Sequence, residues 1–145
     1  MTEMNVIPSL PFWKAISTRH LVDPTAFALA MAGGPVLVGV LGAPLLLVPS
    51  FAVVFGGPLY LALGIPVMLF YMSRNTVTPA AWAGLAFVAN LVLFLPIVMV
   101  AVLTGGSHDG PSLFLFFGSI FAPLWGLASG FIYGHFERDF YKQTI

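Results

Sequence analysis

The chain is 145 residues long. Its five Lys and Arg balance five Asp and Glu, and charged residues make up 7% of it against 59% hydrophobic. Soluble domains carry about 25% charged residues, and a chain this short has too much surface per volume to hide so much apolar area in water, so a soluble fold is excluded and lipid is the expected solvent. Zero net charge gives no electrostatic reason to bind nucleic acid, and the lack of cysteine excludes disulfides, thiolate metal sites and thiol redox chemistry.

Residues 1–23 hold Lys14 and Arg19 in a broken, Pro-interrupted apolar stretch. The apolar block that follows is too long for the core of a cleavable signal, so the chain is expected to be retained whole. Ser9 suits an N-cap and Pro11 a first helical turn. The mixed apolar and basic residues up to Val22 predict a short helix lying in the membrane interface, with Trp13 at headgroup depth and Lys14 and Arg19 toward anionic lipid. An irregular lead-in is the plainer alternative.

Four blocks of roughly the 20 apolar residues that a crossing requires come next. The first runs from Thr25 to about Val48, opened by Asp23 as N-cap and Pro24 as first helical residue. The second runs from about Phe51 to Met72, joined to the first by little more than Pro49 and Ser50. The third runs from Pro79 to about Leu103, with Thr78 repeating the cap-then-proline signal. A turn-rich connector from Thr104 to Gly110 leads to the fourth, from Pro111 to about His135. Residues 136–145 form a mixed-charge tail. The prediction is an all-α polytopic membrane protein with one membrane domain: four transmembrane helices as two hairpins, plus the short interfacial helix.

None of the ten charged residues lies inside a block. Lys14, Arg19, Arg74, Arg138 and Lys142 all fall on one side of the membrane that the blocks imply, and the two loops on the other side carry none. The positive-inside rule then places both termini in the cytoplasm. Trp13, Lys14, Arg19, Arg74 and Arg138 are the expected interfacial anchors, joined by Tyr71, Trp82, Tyr133 and Tyr141 in an aromatic belt. The high usage of Ala, Gly, Leu, Val and Pro points to a bacterial cytoplasmic (inner) membrane.

The sharpest internal pattern is in the fourth block. Gly118, Ala122, Gly126, Gly130 and Gly134 recur every four residues, which puts them on nearly one helix face. Small-residue faces let helices approach closely in lipid, where hydrophobic drive between helices is weak. The stripe predicts packing either against another span of this chain or against a partner. Pro35, Pro58, Pro66, Pro96 and Pro123 fall toward the middle of spans, where each removes a backbone hydrogen bond. They read as kinks or, alternatively, as broken helices around a binding site. Asn90 is the one strongly polar side chain deep in a span, suited to an interhelix bond or a ligand contact. Trp125 lies near mid-span beside the stripe and either fills space or stacks on a lipid, quinone or pigment. Three scattered histidines have no ligand spacing, so no metal site is expected.

Ion- or proton-coupled transport needs acids or bases within the membrane, and membrane catalysis needs a nucleophile, metal cluster or paired carboxylates. The spans offer neither, and an enzyme is not expected. The expected role is a non-catalytic accessory, structural or assembly subunit of a larger membrane complex, respiratory or photosynthetic in kind. Its partners would be the bilayer and other integral membrane subunits or a second copy of itself. The alternative is a homo-oligomeric pore or carrier for a small neutral solute, motivated by the mid-span prolines and Asn90. No cofactor is required by either reading, though a bound lipid, quinone or pigment would fit Trp125.

Overall fold

The computed structural model of the chain describes residues 22–44, 48–75 and 78–142, with the side chains of 138–142 left aside. The interfacial helix expected near the N-terminus, with Trp13, Lys14 and Arg19, lies outside the described residues. The described chain is all helical, in the order α1 Pro24–Gly42, α2 Val48–Met72, α3 Pro79–Thr104 and α4 Asp109–Lys142. Each helix is long and apolar enough to cross a membrane, and the chain is built as a multi-pass membrane protein.

Local chemistry sets the helix ends. The Asp23 carboxylate caps α1, its Oδ1 accepting from the N–H groups of Thr25 at 2.9 Å and Ala26 at 3.2 Å, two of the donors that a helix start leaves unpaired. The Thr78 hydroxyl does the same for α3, accepting from Ala81 at 3.2 Å. At the far end of α3, Gly105 adopts φ 69°, a left-handed conformation that Gly enters without a Cβ penalty. That turn lets Gly106 donate to Ala101 at 2.8 Å and Gly105 to Val102 at 3.3 Å, closing the helix on its own last carbonyls.

Three boundaries differ from the sequence expectation. α1 stops at Gly42 rather than near Val48. Pro44 has no N–H to give the carbonyl of Val40, which takes a tighter bond from Ala43 at 3.3 Å instead. α2 begins at Val48, so Pro49 and Ser50 belong to its first turn and are not the connector. Proline is tolerated there because first-turn N–H groups have no helical partner. Ser50 donates to the Gly39 carbonyl at 3.0 Å and ties the start of α2 to α1. α4 starts at Asp109 and continues through part of the expected tail to Lys142. Its 34 residues make a rod of roughly 50 Å, well beyond a hydrocarbon core of about 30 Å.

Packing centres on α4, which lies along α3 and against α1, while α1 lies against α2. Small residues make the close approaches. A Cβ added at Gly34 of α1 would overlap the Ser129 side chain and the Trp125 carbonyl of α4, and one added at Gly64 of α2 would meet the end of Met31 of α1 at 2.9 Å. Trp82, 1% exposed, anchors the core with its ring centroid 5.9 Å from that of Phe27 on α1 and 5.7 Å from that of Tyr133 on α4. α2 touches α3 and α4 at only a few places. That standoff creates the site described next.

Candidate functional site

Two features converge on α4: the seam with α3 and a cleft facing α2. The seam is where the Gly stripe lies. Gly118 faces the Asn90 amide, Gly126 faces the backbone of Trp82 and Ala83, and Gly130 faces Pro79 and Trp82. Ala122 is buried on the same helix. α3 therefore occupies the stripe from Gly118 to Gly130, and Gly134, with nothing among the described residues within 4 Å of an added Cβ, is left open. At Gly126 the added atom would stand 2.5 Å from the Trp82 carbonyl oxygen, so the two backbones meet with no side chain between them. This spacing suits dispersion contacts and weak Cα–H hydrogen bonds.

Asn90 sits in this seam, 8% exposed. Its Nδ2 donates to the Leu115 carbonyl at 3.3 Å and to the Ser119 hydroxyl at 3.4 Å. The Ser119 hydroxyl donates in turn to the same carbonyl at 2.6 Å. The amide is thereby oriented, because only the NH2 end can face a carbonyl. Its Oδ1 rests against Gly118 and accepts no N–H or O–H from the described residues.

The cleft lies between α2 on one side and α3 with α4 on the other, with a volume of about 380 Å³. It extends from Val48 and Gly110 at one end to Met68 and Leu85 at the other. Its walls are apolar and rich in aromatic rings: Phe51 and Phe55 from α2, Phe94 from α3, Phe114, Phe117 and Phe121 from α4. Phe94 and Phe114 stack at 5.5 Å, and Phe121 stacks on Trp125 at 6.2 Å. Gly56 leaves room for the Trp125 ring edge, 2.9 Å from where its Cβ would be.

Three polar groups interrupt this lining. Asn90 is the first. Tyr60 is the second; its hydroxyl shares a 3.3 Å hydrogen bond with Ser129, which is fully buried. Trp125 is the third, and its buried Nε1–H has no hydrogen-bond partner among the described residues. A buried unpaired donor costs about 1–3 kcal/mol.

The structure thus brings Asn90, Trp125, Gly118 and Ala122 to one cleft, while Gly126 and Gly130 face away from it into the seam. Arg74 lies exposed just beyond α2, with its guanidinium 4.5 Å from the Phe70 ring centroid. Arg138 lies in the last turns of α4, and its side chain is not among those described. Among the described residues, no three His, Cys, Asp or Glu side chains come together as metal ligands would. In the sequence the Phe-rich start of the fourth span, Phe114, Phe116, Phe117 and Phe121, reads as a lipid- or cofactor-facing surface, and Phe114, Phe117 and Phe121 line the cleft; Tyr60 is not singled out there. Ser129 flanks the stripe in the sequence, but its partner, 69 residues earlier in the chain, leaves no sequence signal. In comparisons with known proteins, no family model, no curated protein and no solved structure matches this chain.

Proposed function

We propose that this protein is a non-catalytic accessory or structural subunit of a larger complex in a bacterial inner membrane, with both termini cytoplasmic, acting by packing its spans against other integral membrane proteins. The observation that carries this reading is the outward face of α3. Ala80 and Gly84 are exposed there, four residues apart, and among the described residues nothing lies within 4 Å of a Cβ at Gly84. Val88 and Val92 continue the same face, 53% and 69% exposed. A lipid-facing Gly weakens a helix by about 1 kcal/mol relative to Ala and gains nothing from fluid tails, whereas a neighbouring helix can use the space. The charge-free spans agree with this role, since their contribution is shape.

The test is purification of the tagged chain in mild detergent with quantified stoichiometry. Other integral membrane subunits in fixed ratio are expected, and Gly84→Leu should detach them while leaving the helix content unchanged. A chain that runs alone at every detergent concentration contradicts the proposal. A second reading, a homo-oligomeric carrier for a small neutral solute, is favoured by Asn90 on the cleft wall. It predicts glycerol flux into proteoliposomes that Asn90→Leu abolishes.

A further inference from the structure

The cleft between α2 and the α3–α4 pair has dimensions that select its occupant. From Val48 to Met68 it follows α2 for roughly 30 Å at 1.5 Å per residue. Its volume of about 380 Å³, the space open to the centre of a water molecule, spread over that length leaves a gap roughly 7 Å across once the ~1.4 Å radius of water is added on each side. A helix is about 10 Å across, so a neighbouring span is too wide for the cleft unless α2 moves away. One extended chain fits. Flat aromatic walls from Phe51, Phe55, Phe117 and Phe121 suit such a chain, since rings offer large contact area at little entropic cost.

Hydrocarbon walls alone would hold any lipid tail. Asn90 adds a polar requirement. Its NH2 end is committed to Leu115 and Ser119, and the spare acceptor Oδ1 rests against Gly118 on the cleft wall. With glycine at 118, no side chain stands between this oxygen and α4. At membrane depth an unmet acceptor lacks the hydrogen bonds water would give it. A donor carried by the occupant meets that need, and a plain alkyl chain does not.

We propose that the cleft is a binding site for a long-chain alcohol, an apolar chain whose hydroxyl donates to Asn90 Oδ1 while the chain lies along the aromatic walls. This site is independent of the subunit role proposed above: the cleft lies between α2 and the α3–α4 pair, whereas the partner face is the side of α3 that carries Ala80 and Gly84.

The experiment uses the full-length protein in phosphatidylcholine vesicles, titrated with dibrominated octadecanol, whose bromines quench nearby Trp fluorescence. Trp125 lines the cleft, whereas Trp82 is packed in the core away from it, and Trp13, the third tryptophan, is replaced by Phe throughout. The expected result is saturable quenching that Trp125→Phe removes. Ala89→Phe, which fills the cleft from α3, should reduce it to the level of bulk lipid. Dibrominated octadecane, lacking the hydroxyl, should bind about fivefold more weakly, the equivalent of one net hydrogen bond. Asn90→Leu should bind both probes equally. Helix content by circular dichroism is measured for each variant, and Ala52→Phe, which fills the cleft from α2, replaces Ala89→Phe if that variant fails to fold. Quenching that rises without saturation and is the same in the filled variant overturns the site. Saturable binding with equal affinity for the alcohol and the alkane overturns the role of Asn90.

Discussion

Gly126→Ala tests the seam between α3 and α4 with a single methyl group. The new Cβ would lie 2.5 Å from the Trp82 carbonyl oxygen, 2.9 Å from its carbon and 3.0 Å from Ala83 Cα. All three are backbone atoms and cannot rotate away. An ordinary contact needs about 3.5 Å, so the helices must separate by about 1 Å at this point. A gap of that size forfeits about a quarter to a half of the dispersion energy of each facing atom pair, and overpacking of this kind costs typically about 1–3 kcal/mol. Ala also improves helix propensity over Gly by up to about 1 kcal/mol. Gly134→Ala is the matched control, because the same methyl there meets nothing within 4 Å among the described residues. The propensity gain is common to both variants, so their difference isolates the clash: Gly126→Ala should be less stable than Gly134→Ala by about 1–3 kcal/mol. Reversible unfolding in dodecylmaltoside with increasing dodecyl sulfate, followed by Trp fluorescence and circular dichroism, measures it. Equal stabilities, within about 0.5 kcal/mol as for neutral surface changes, would refute the backbone contact.

The same titration applies to two polar pairs. Tyr60→Phe removes the 3.3 Å bond to Ser129 and should cost about 1 kcal/mol, since the serine hydroxyl is left buried; no loss would mean that Ser129 finds another partner. Asn90→Leu removes the bonds to Leu115 and Ser119 and should destabilise by about 0.6–1.7 kcal/mol, the range for polar contacts between membrane helices. Orientation is testable because the chain has no native cysteine. Ser107→Cys should react with an impermeant maleimide on intact cells, and Ser73→Cys only after permeabilisation. The opposite pattern would invert the proposed topology.

Much of the fold is legible in the sequence because lipid imposes it. An uncharged block of about 20 residues is a length criterion, and four such blocks stand out before any packing is considered. The caps at Asp23 and Thr78 are equally local, since each acts on N–H groups within three residues of itself. The first connector is not legible, because Pro49 followed by Ser50 suits a turn and a first helical turn alike, and the bond from Ser50 to Gly39 is tertiary. The site is less legible still. In water, a helix reveals its buried face by an apolar stripe; in these spans every face is apolar, and periodicity does not say which neighbour each face meets. The Gly118-to-Gly134 stripe announces close packing without naming α3 as the partner. The cleft arises from where α2 does not pack, which no residue pattern encodes.

The central claim, that this chain works by packing against other membrane proteins, is tested most directly by extracting it with its surrounding lipid in copolymer nanodiscs and weighing the intact protein assembly by native mass spectrometry. The account predicts an assembly in which this 15.5 kDa chain is present in fixed ratio with other integral membrane subunits, and from which Gly84→Leu releases it. An assembly whose mass is that of this chain alone, in one or several copies, would contradict it.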